Sequence, residues 1–139
     1  MTGSRNQPAQ DRALRVLIVD DHPMMRTALT EMFEGEDGLT VVGECADGSE
    51  AVEATARLSP DVVCMDVSMP TMDGVAATEA LRAARADVRI VMFTASPMAR
   101  PAVAAAGADA LVPKSARPDA LLHCLRAVAD GATDCPYCL

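Results

Sequence analysis

The chain has 139 residues, half of them apolar, and a formal net charge of −8. This length fits a single domain with a buried core, and the negative charge argues against direct binding to nucleic acid, which requires clustered Lys and Arg. No apolar run reaches the roughly 18 residues of a membrane span, and the polar residues 1–13 lack the apolar centre of a signal peptide. We therefore expect a cytoplasmic domain without membrane contact, preceded by a disordered segment over residues 1–13.

Five short apolar runs predict β-strands, in chain order 15–19, 39–45, 61–65, 89–93 and 110–112. Several are nearly continuous apolar runs, as expected for strands of a parallel sheet that is covered on both faces. The stretches between and after them predict helices, over 23–35, 48–58, 74–84, 101–106 and 118–131. This alternation predicts an α/β fold with a doubly wound parallel sheet.

The fourth helix is predicted to be short. Pro101 can occupy its first position, and Gly107 ends it after fewer than two turns. The last helix is expected to end near Gly131. The chain is thus expected to consist of one domain over residues 14–131 and a C-terminal tail over residues 132–139.

Polar residues follow four of the predicted strands. Asp20 and Asp21 follow the first strand, Asp66 the third, Thr94 the fourth and Lys114 the fifth. Ligands of open parallel sheets bind beyond the carboxyl ends of the strands, so these side chains should converge. A hard divalent cation such as Mg²⁺ would relieve the repulsion between the carboxylates. The set suits phosphoryl transfer to a carboxylate nucleophile.

Each of these residues also has an ordinary structural explanation. Asp21 could cap the helix that begins at Pro23, and Lys114 could be a surface charge. Lys114 is nevertheless the only lysine of the chain, whose other eleven basic side chains are all arginine. A small ammonium group that can move between partners would explain why a lysine stands there. The combination of residues at four strand ends favours function.

Several segments resemble the motifs of a two-component response-regulator receiver domain, over about residues 14–131. They are VLIVDDHPMMRTAL, PDVVCMDVSMPTMDG, MFTAS and GADALVPK. The segments DDHPMMR and VVGECADGSEAV are most similar to receivers of NarL/FixJ-type transcriptional regulators. The resemblance implies a flavodoxin-like (βα)5 fold with strand order 2-1-3-4-5. It also implies phosphorylation by a sensor histidine kinase, a role in transcription, and the ability to form a homodimer.

The resemblance assigns the acceptor and the metal ligands by position. Asp66 would be the phosphoacceptor. Asp21, Asp66 and the backbone carbonyl of Ser68 would hold Mg²⁺ or Mn²⁺, and Asp20 would act mainly through metal-bound water. DNA would be contacted only through a C-terminal helix-turn-helix, for which we expect no room after the last helix of this chain.

The resemblance also assigns residues that bind the phosphoryl group and respond to it. Lys114 and Thr94 would contact the phosphoryl oxygens, and Ser68 and Ser96 hold positions that influence the lifetime of the phosphate. Receivers usually have Tyr or Phe three residues before the lysine, where this chain has Leu111. Leu111 and the short fourth helix therefore predict complete phosphoryl chemistry with an altered readout.

Two other functions remain open at this point. A pseudo-receiver would keep the fold as a docking or dimerisation module that phosphorylation does not switch. A phosphatase of the haloacid-dehalogenase type also uses an Asp nucleophile, but it needs a second Asp where this chain has Ser68, and it usually carries a cap insertion. We expect a signalling protein that is not an enzyme and only assists its own phosphorylation and dephosphorylation.

Five further residues could be over-interpreted. His22 fits a residue at the start of the first helix, near the rim of the pocket, better than a catalytic base. Cys135 and Cys138 have redox or zinc spacing but supply only two ligands. Cys124 and its neighbour His123 could complete a set only if the tail folded back. We interpret the CPYC segment as incidental.

Overall fold

The computed structural model describes residues 13–84, 86–95, 97–133 and 135–139. Its strands are β1 (Leu14–Val19), β2 (Leu39–Cys45), β3 (Val62–Met65), β4 (Arg89–Thr94) and β5 (Ala110–Pro113). Its helices are α1 (Pro23–Glu34), α2 (Ala51–Leu58), α3 (Gly74–Ala83), α4 (Arg100–Ala106) and α5 (Pro118–Ala129). Single 3₁₀ turns, Gly48–Glu50 and Pro97–Ala99, precede α2 and α4. No helix in the described part of the chain could cross a membrane. The predicted disordered segment lies outside the described residues, except for Ala13.

The five strands form one parallel sheet in the order β2-β1-β3-β4-β5. This confirms the predicted fold class and strand order. The chain first steps from β1 to β2 at one edge and then returns past β1 to β3. The strand order therefore reverses between β1 and β3, and the carboxyl ends of these two strands border the expected ligand crevice.

Two apolar layers cover the two faces of the sheet. Side chains alternate between the faces along each strand, so Val16 and Ile18 of β1 pack in one layer and Leu17 and Val19 in the other. The first layer is completed by α1 and α5, and the second by α2, α3 and α4. Because both faces are buried, the strands need apolar residues at successive positions, which explains their nearly continuous apolar sequence.

Helix α4 has seven residues and ends where the sequence predicts. Gly107 follows it with φ = 104°, a left-handed conformation that glycine adopts without a steric penalty. The N–H of Arg82 Nε donates to the carbonyl oxygen of Gly107 at 3.0 Å, which fixes this end of α4 to α3. The short fourth helix is therefore confirmed as a feature of the fold.

Residues 132–133 and 135–139, which we call the post-α5 segment, pack against the domain. The N–H of Leu111 donates to the carbonyl oxygen of Tyr137, and the N–H of Leu139 donates to that of Asp109, both at 3.0 Å. These bonds flank an antiparallel bridge between Ala110 and Cys138. The segment thereby pairs with the outer edge of β5, which satisfies backbone groups that an exposed edge strand would leave open.

Candidate functional site

The two strands that border the crevice place Asp20 and Asp66 side by side. The N–H of Asp20 donates to the carbonyl oxygen of Cys45 at 3.0 Å, and the N–H of Asp66 donates to that of Val19 at 2.9 Å. These bonds continue the ladder between the strands by one residue beyond their ends. Both side chains are almost fully buried, with 2% of Asp20 and 4% of Asp66 exposed. The structure therefore brings these two predicted residues together.

Asp21 and His22 complete a compact group with these carboxylates. One ligand atom from each of Asp20, Asp21, His22 and Asp66 lies within 4.8 Å of all the others. Nδ1 of His22 is 3.2 Å from an oxygen of Asp20, 3.2 Å from one of Asp21 and 3.9 Å from Oδ2 of Asp66. The sequence placed His22 correctly at the start of α1, but it did not indicate that its ring reaches the carboxylates.

Lys114 reaches the same carboxylates from the far side of the crevice. Its backbone N–H donates to the carbonyl oxygen of Thr94 at 2.6 Å, which places Lys114 directly beyond the end of β5 and next to the last residue of β4. Nζ of Lys114 lies 3.3 Å from Oδ2 of Asp66 and 3.6 Å from Oδ2 of Asp20. It also lies 5.9 Å from the centre of the Phe93 ring. The predicted ammonium group is thus within reach of the predicted acceptor.

The remaining predicted residues have varied positions. Thr94 is buried at the end of β4, and Leu111 is buried in the apolar layer that contains α4. Ser68 is exposed, and its N–H donates to Oδ1 of Asp66 at 3.3 Å. Ser96 lies outside the described residues. The roles that the resemblance assigns to these four residues stay predictions.

Asp47 and Gly74 shape the loop after Asp66, through contacts that the sequence alone did not predict. The carboxylate of Asp47 accepts hydrogen bonds from the N–H groups of Thr71 and Met72, each at 3.1 Å. A bond from the N–H of Ser49 and these two bonds lower the pKa of Asp47. Gly74 leaves no space for a side chain, since a Cβ there would meet the carbonyl oxygen of Asp66 and the side chain of Met92. The DGS sequence at Asp47 is typical of a turn and was the available signal.

The environment of Asp66 disfavours its charged form. Burial raises the pKa of Asp66, the positive charge of Lys114 partly offsets this effect, and the negative charge of Asp20 adds to it. A carboxyl group whose pKa is raised in the folded protein contributes stability to the fold at pH values below its pKa in the unfolded chain. That stabilisation is lost as the pH rises through the pKa of the folded state.

We therefore expect Asp66→Asn to stabilise the metal-free protein at neutral pH. An amide stays neutral, so its advantage should grow from about pH 4 to pH 7 and raise the unfolding midpoint by a few degrees. Thermal unfolding in EDTA across this range measures the difference. Asp119→Asn, at a side chain that is 76% exposed, is the matched control and should have no such effect. A variant less stable than wild type at pH 7 would contradict the expectation.

The group fits a hard divalent cation. Oδ1 of Asp21 is buried and accepts no hydrogen bond from the described residues, although Nδ1 of His22 is nearby. An acceptor in this state costs free energy unless another group satisfies it. Carboxylate oxygens are ligands that Mg²⁺ prefers, and Mg²⁺ would also reduce the repulsion between three adjacent carboxylates. Asp20, Asp21 and Asp66 are therefore suited to hold such an ion.

The sequence was compared with models of known protein families to identify the kind of domain that contains this site. Residues 16–126 match the response regulator receiver domain family, which accounts for most of the chain. The chain belongs to this family. Receiver domains bind Mg²⁺ at an acidic pocket, and in this receiver the corresponding pocket is formed by Asp20, Asp21 and Asp66. Phosphorylation is likewise typical of the family.

Curated relatives of this receiver include response regulators of the NarL type. It is 35% identical over 124 residues to a nitrate/nitrite response regulator protein homolog of Haemophilus influenzae, covering 88% of this chain and 59% of that protein. It is 36% identical over 118 residues to the nitrate/nitrite response regulator protein NarL of Escherichia coli, covering 84% of this chain and 55% of that protein. The receiver thus spans little more than half the length of these relatives.

Solved structures show the same architecture. A two-component response regulator of the LuxR family from Aurantimonas superposes with a TM-score of 0.83 at 33% identity, covering 86% of this receiver and 87% of that chain. The response regulator domain of CheB from Thermotoga maritima superposes with a TM-score of 0.78 at 29% identity, covering 86% and 98%. Receivers on this fold are signalling domains, and they are attached to different outputs.

Proposed function

We propose that this receiver accepts a phosphoryl group on Asp66 from the phosphohistidine of a sensor histidine kinase. The contact that carries the proposal is the 3.3 Å approach of Lys114 Nζ to Oδ2 of Asp66 beside the carboxylate group. A structural ion pair would need neither the neighbouring unsatisfied oxygen of Asp21 nor a position at the reversal of strand order. Nucleophile, cation and metal ligands together support phosphoryl transfer.

The chemistry follows from the positions of these side chains. An oxygen of Asp66 attacks phosphorus and forms an O–P bond, while the P–N bond to the donor histidine breaks and its electron pair returns to the imidazole. Lys114 stabilises the charge on the non-bridging oxygens, and the hydroxyl of Thr94 donates a hydrogen bond to the product. Bound Mg²⁺ would neutralise charge on the phosphoryl oxygens, held by Asp21, Asp66 and the carbonyl of Ser68, with Asp20 acting through water.

The output is proposed from the relatives. Regulators of the NarL type control transcription, so we propose that this receiver acts in the cytoplasm and controls a helix-turn-helix effector outside the described chain, directly or through a homodimer. The readout surface would be α4, β5 and α5. Leu111 within β5 replaces the aromatic residue usual in receivers, so the surface would respond through α4 and the β5 edge rather than through a rotating ring.

Intact mass spectrometry tests the proposal. Incubation with Mg²⁺ and acetyl phosphate should add one phosphoryl group, and EDTA should prevent the addition. Borohydride reduces an aspartyl phosphate to homoserine, so peptide mapping should find this conversion at position 66. No mass gain with acetyl phosphate or phosphoramidate would contradict the proposal and favour a pseudo-receiver, as would modification at another residue.

A further inference from the structure

A second reactive cluster lies where the post-α5 segment meets α5. Sγ of Cys135 is 2.7 Å from Sγ of Cys138 and 3.6 Å from Sγ of Cys124 on α5. All three are thiols in this structure. The Cys135–Cys138 separation is only about 0.7 Å longer than the ~2.05 Å of a disulfide bond. The CPYC segment, which its sequence alone marks as incidental, therefore forms a defined thiol cluster together with Cys124.

The backbone holds this pair in place. The N–H of Cys138 donates to the carbonyl oxygen of Cys135 at 3.1 Å, which closes a four-residue turn and puts both sulfurs on the same side. The hydrogen bonds of Tyr137 and Leu139 to β5 fix the end of that turn, and Arg100 of α4 donates to the carbonyl oxygen of Cys138 at 3.2 Å. Bond formation between the two sulfurs thus requires little rearrangement of the backbone.

The surroundings distinguish Cys135 from the buried cysteines. Burial alone would raise the pKa of Cys135, but hydrogen bonds from the Cys138 thiol, from backbone N–H groups and from the Cys124 thiol lower it below the ordinary value. Burial raises the pKa of Cys45 to about 11 and that of Cys64 to about 12. The thiolate is the nucleophile in thiol–disulfide exchange, so Cys135 should react before these two.

A zinc site explains the cluster less well. Structural zinc takes four ligands, whereas three thiols meet here, and His123 beside Cys124 is exposed. Among the described residues, the one set of three or more side chains that could hold a metal ion consists of Asp20, Asp21, His22 and Asp66. The geometry favours a reaction between two sulfurs over a shared metal ion.

We propose that Cys135 and Cys138 form a thiol–disulfide exchange site. The thiolate of Cys135 attacks an external low-molecular-weight disulfide, forms a mixed disulfide and releases one thiolate. Cys138, after losing its proton, attacks Cys135 Sγ and displaces the second thiolate. One external disulfide thus becomes two thiols, while the two protein thiols become one intramolecular disulfide. The site is separate from the carboxylate group, so it stands independently of the function proposed for Asp66.

The number of thiols that can be alkylated in the wild-type protein tests the proposal. The protein is equilibrated with oxidised glutathione, quenched in acid, unfolded and alkylated before its mass is measured. The fully reduced protein takes five labels, one for each cysteine. Oxidation should remove two of them, and peptide mapping should place the bond between Cys135 and Cys138. Reduced glutathione in excess should restore all five.

Single variants separate the two roles. Cys138→Ser should stop at a mixed disulfide between glutathione and Cys135, and Cys135→Ser should keep four labels. Cys45→Ser, at a buried thiol remote from the segment, is the matched control and should still lose two labels. Circular dichroism of each variant shows that it is folded, and phosphorylation of Cys135→Ser should be unchanged.

Three results would overturn the proposal. The first is retention of all five labels in oxidised glutathione, and the second is a bond that joins Cys124 to Cys135 instead. The third is a stoichiometric zinc ion in the purified protein that is lost in Cys135→Ser, because it would make the thiols metal ligands.

Discussion

Asp66→Asn should lose phosphorylation by acetyl phosphate, with a rate at least ~100-fold below wild type. The amide cannot act as a nucleophile toward phosphorus as the carboxylate does, and it is a poorer metal ligand. Oδ2 of Asp66 is also the atom that Lys114 Nζ approaches at 3.3 Å, which is closer than its 3.6 Å separation from Oδ2 of the similarly buried Asp20. Intact mass at a series of incubation times measures the effect.

The matched control for this variant is Asp119→Asn. It removes the same charge from an exposed position at the start of α5 and should be phosphorylated at the wild-type rate. Unfolding would not explain a loss in Asp66→Asn, because this variant is expected to be more stable than wild type without metal. A phosphoryl group that appears on Asp66→Asn at the normal rate, on Asp20 or Asp21 for example, would contradict the assignment.

Much of the fold could be predicted because its determinants are local or follow simple periodicity. The continuous apolar strands required a sheet buried on both faces, and their alternation with helices required parallel crossovers. The short α4 followed from two residues, Pro101 and Gly107. The convergence of Asp20, Asp66 and Lys114 could also be predicted, because the residue after each strand of a parallel sheet lies at the same edge of that sheet.

The contacts that escaped prediction depend on tertiary geometry. The contact of the His22 ring with Asp20 and Asp21 depends on the angle at which α1 leaves β1. The order of residues along the chain does not specify this angle. Asp47 binds a loop more than twenty residues away in sequence, and a turn motif does not name its distant partner. The post-α5 segment pairs with β5 through backbone groups, so no side-chain pattern marked it. Cys135 and Cys138 were visible as a motif and Cys124 as a residue that could join them, but the sequence did not show that the segment folds back onto α5.

The single lysine provides the second large effect. Lys114→Arg keeps the positive charge, yet we expect it to lower the phosphorylation rate by about 10- to 100-fold. Nζ of Lys114 is placed between Asp66 and Asp20, at 3.3 and 3.6 Å, in a half-buried position bounded by the Phe93 ring. A guanidinium group is larger and planar, so it cannot occupy this position and still leave room for the phosphoryl group beside Asp66.

Comparison with Lys114→Met separates charge from shape. Methionine keeps an unbranched side chain but removes the positive charge, so the carboxylates repel each other without compensation. The methionine variant should therefore be phosphorylated more slowly than the arginine variant. Initial rates with Mg²⁺ and acetyl phosphate rank the three proteins, and wild type, arginine and methionine is the expected order. An arginine variant as fast as wild type would show that charge alone suffices, and the one lysine among eleven arginines would then need another explanation.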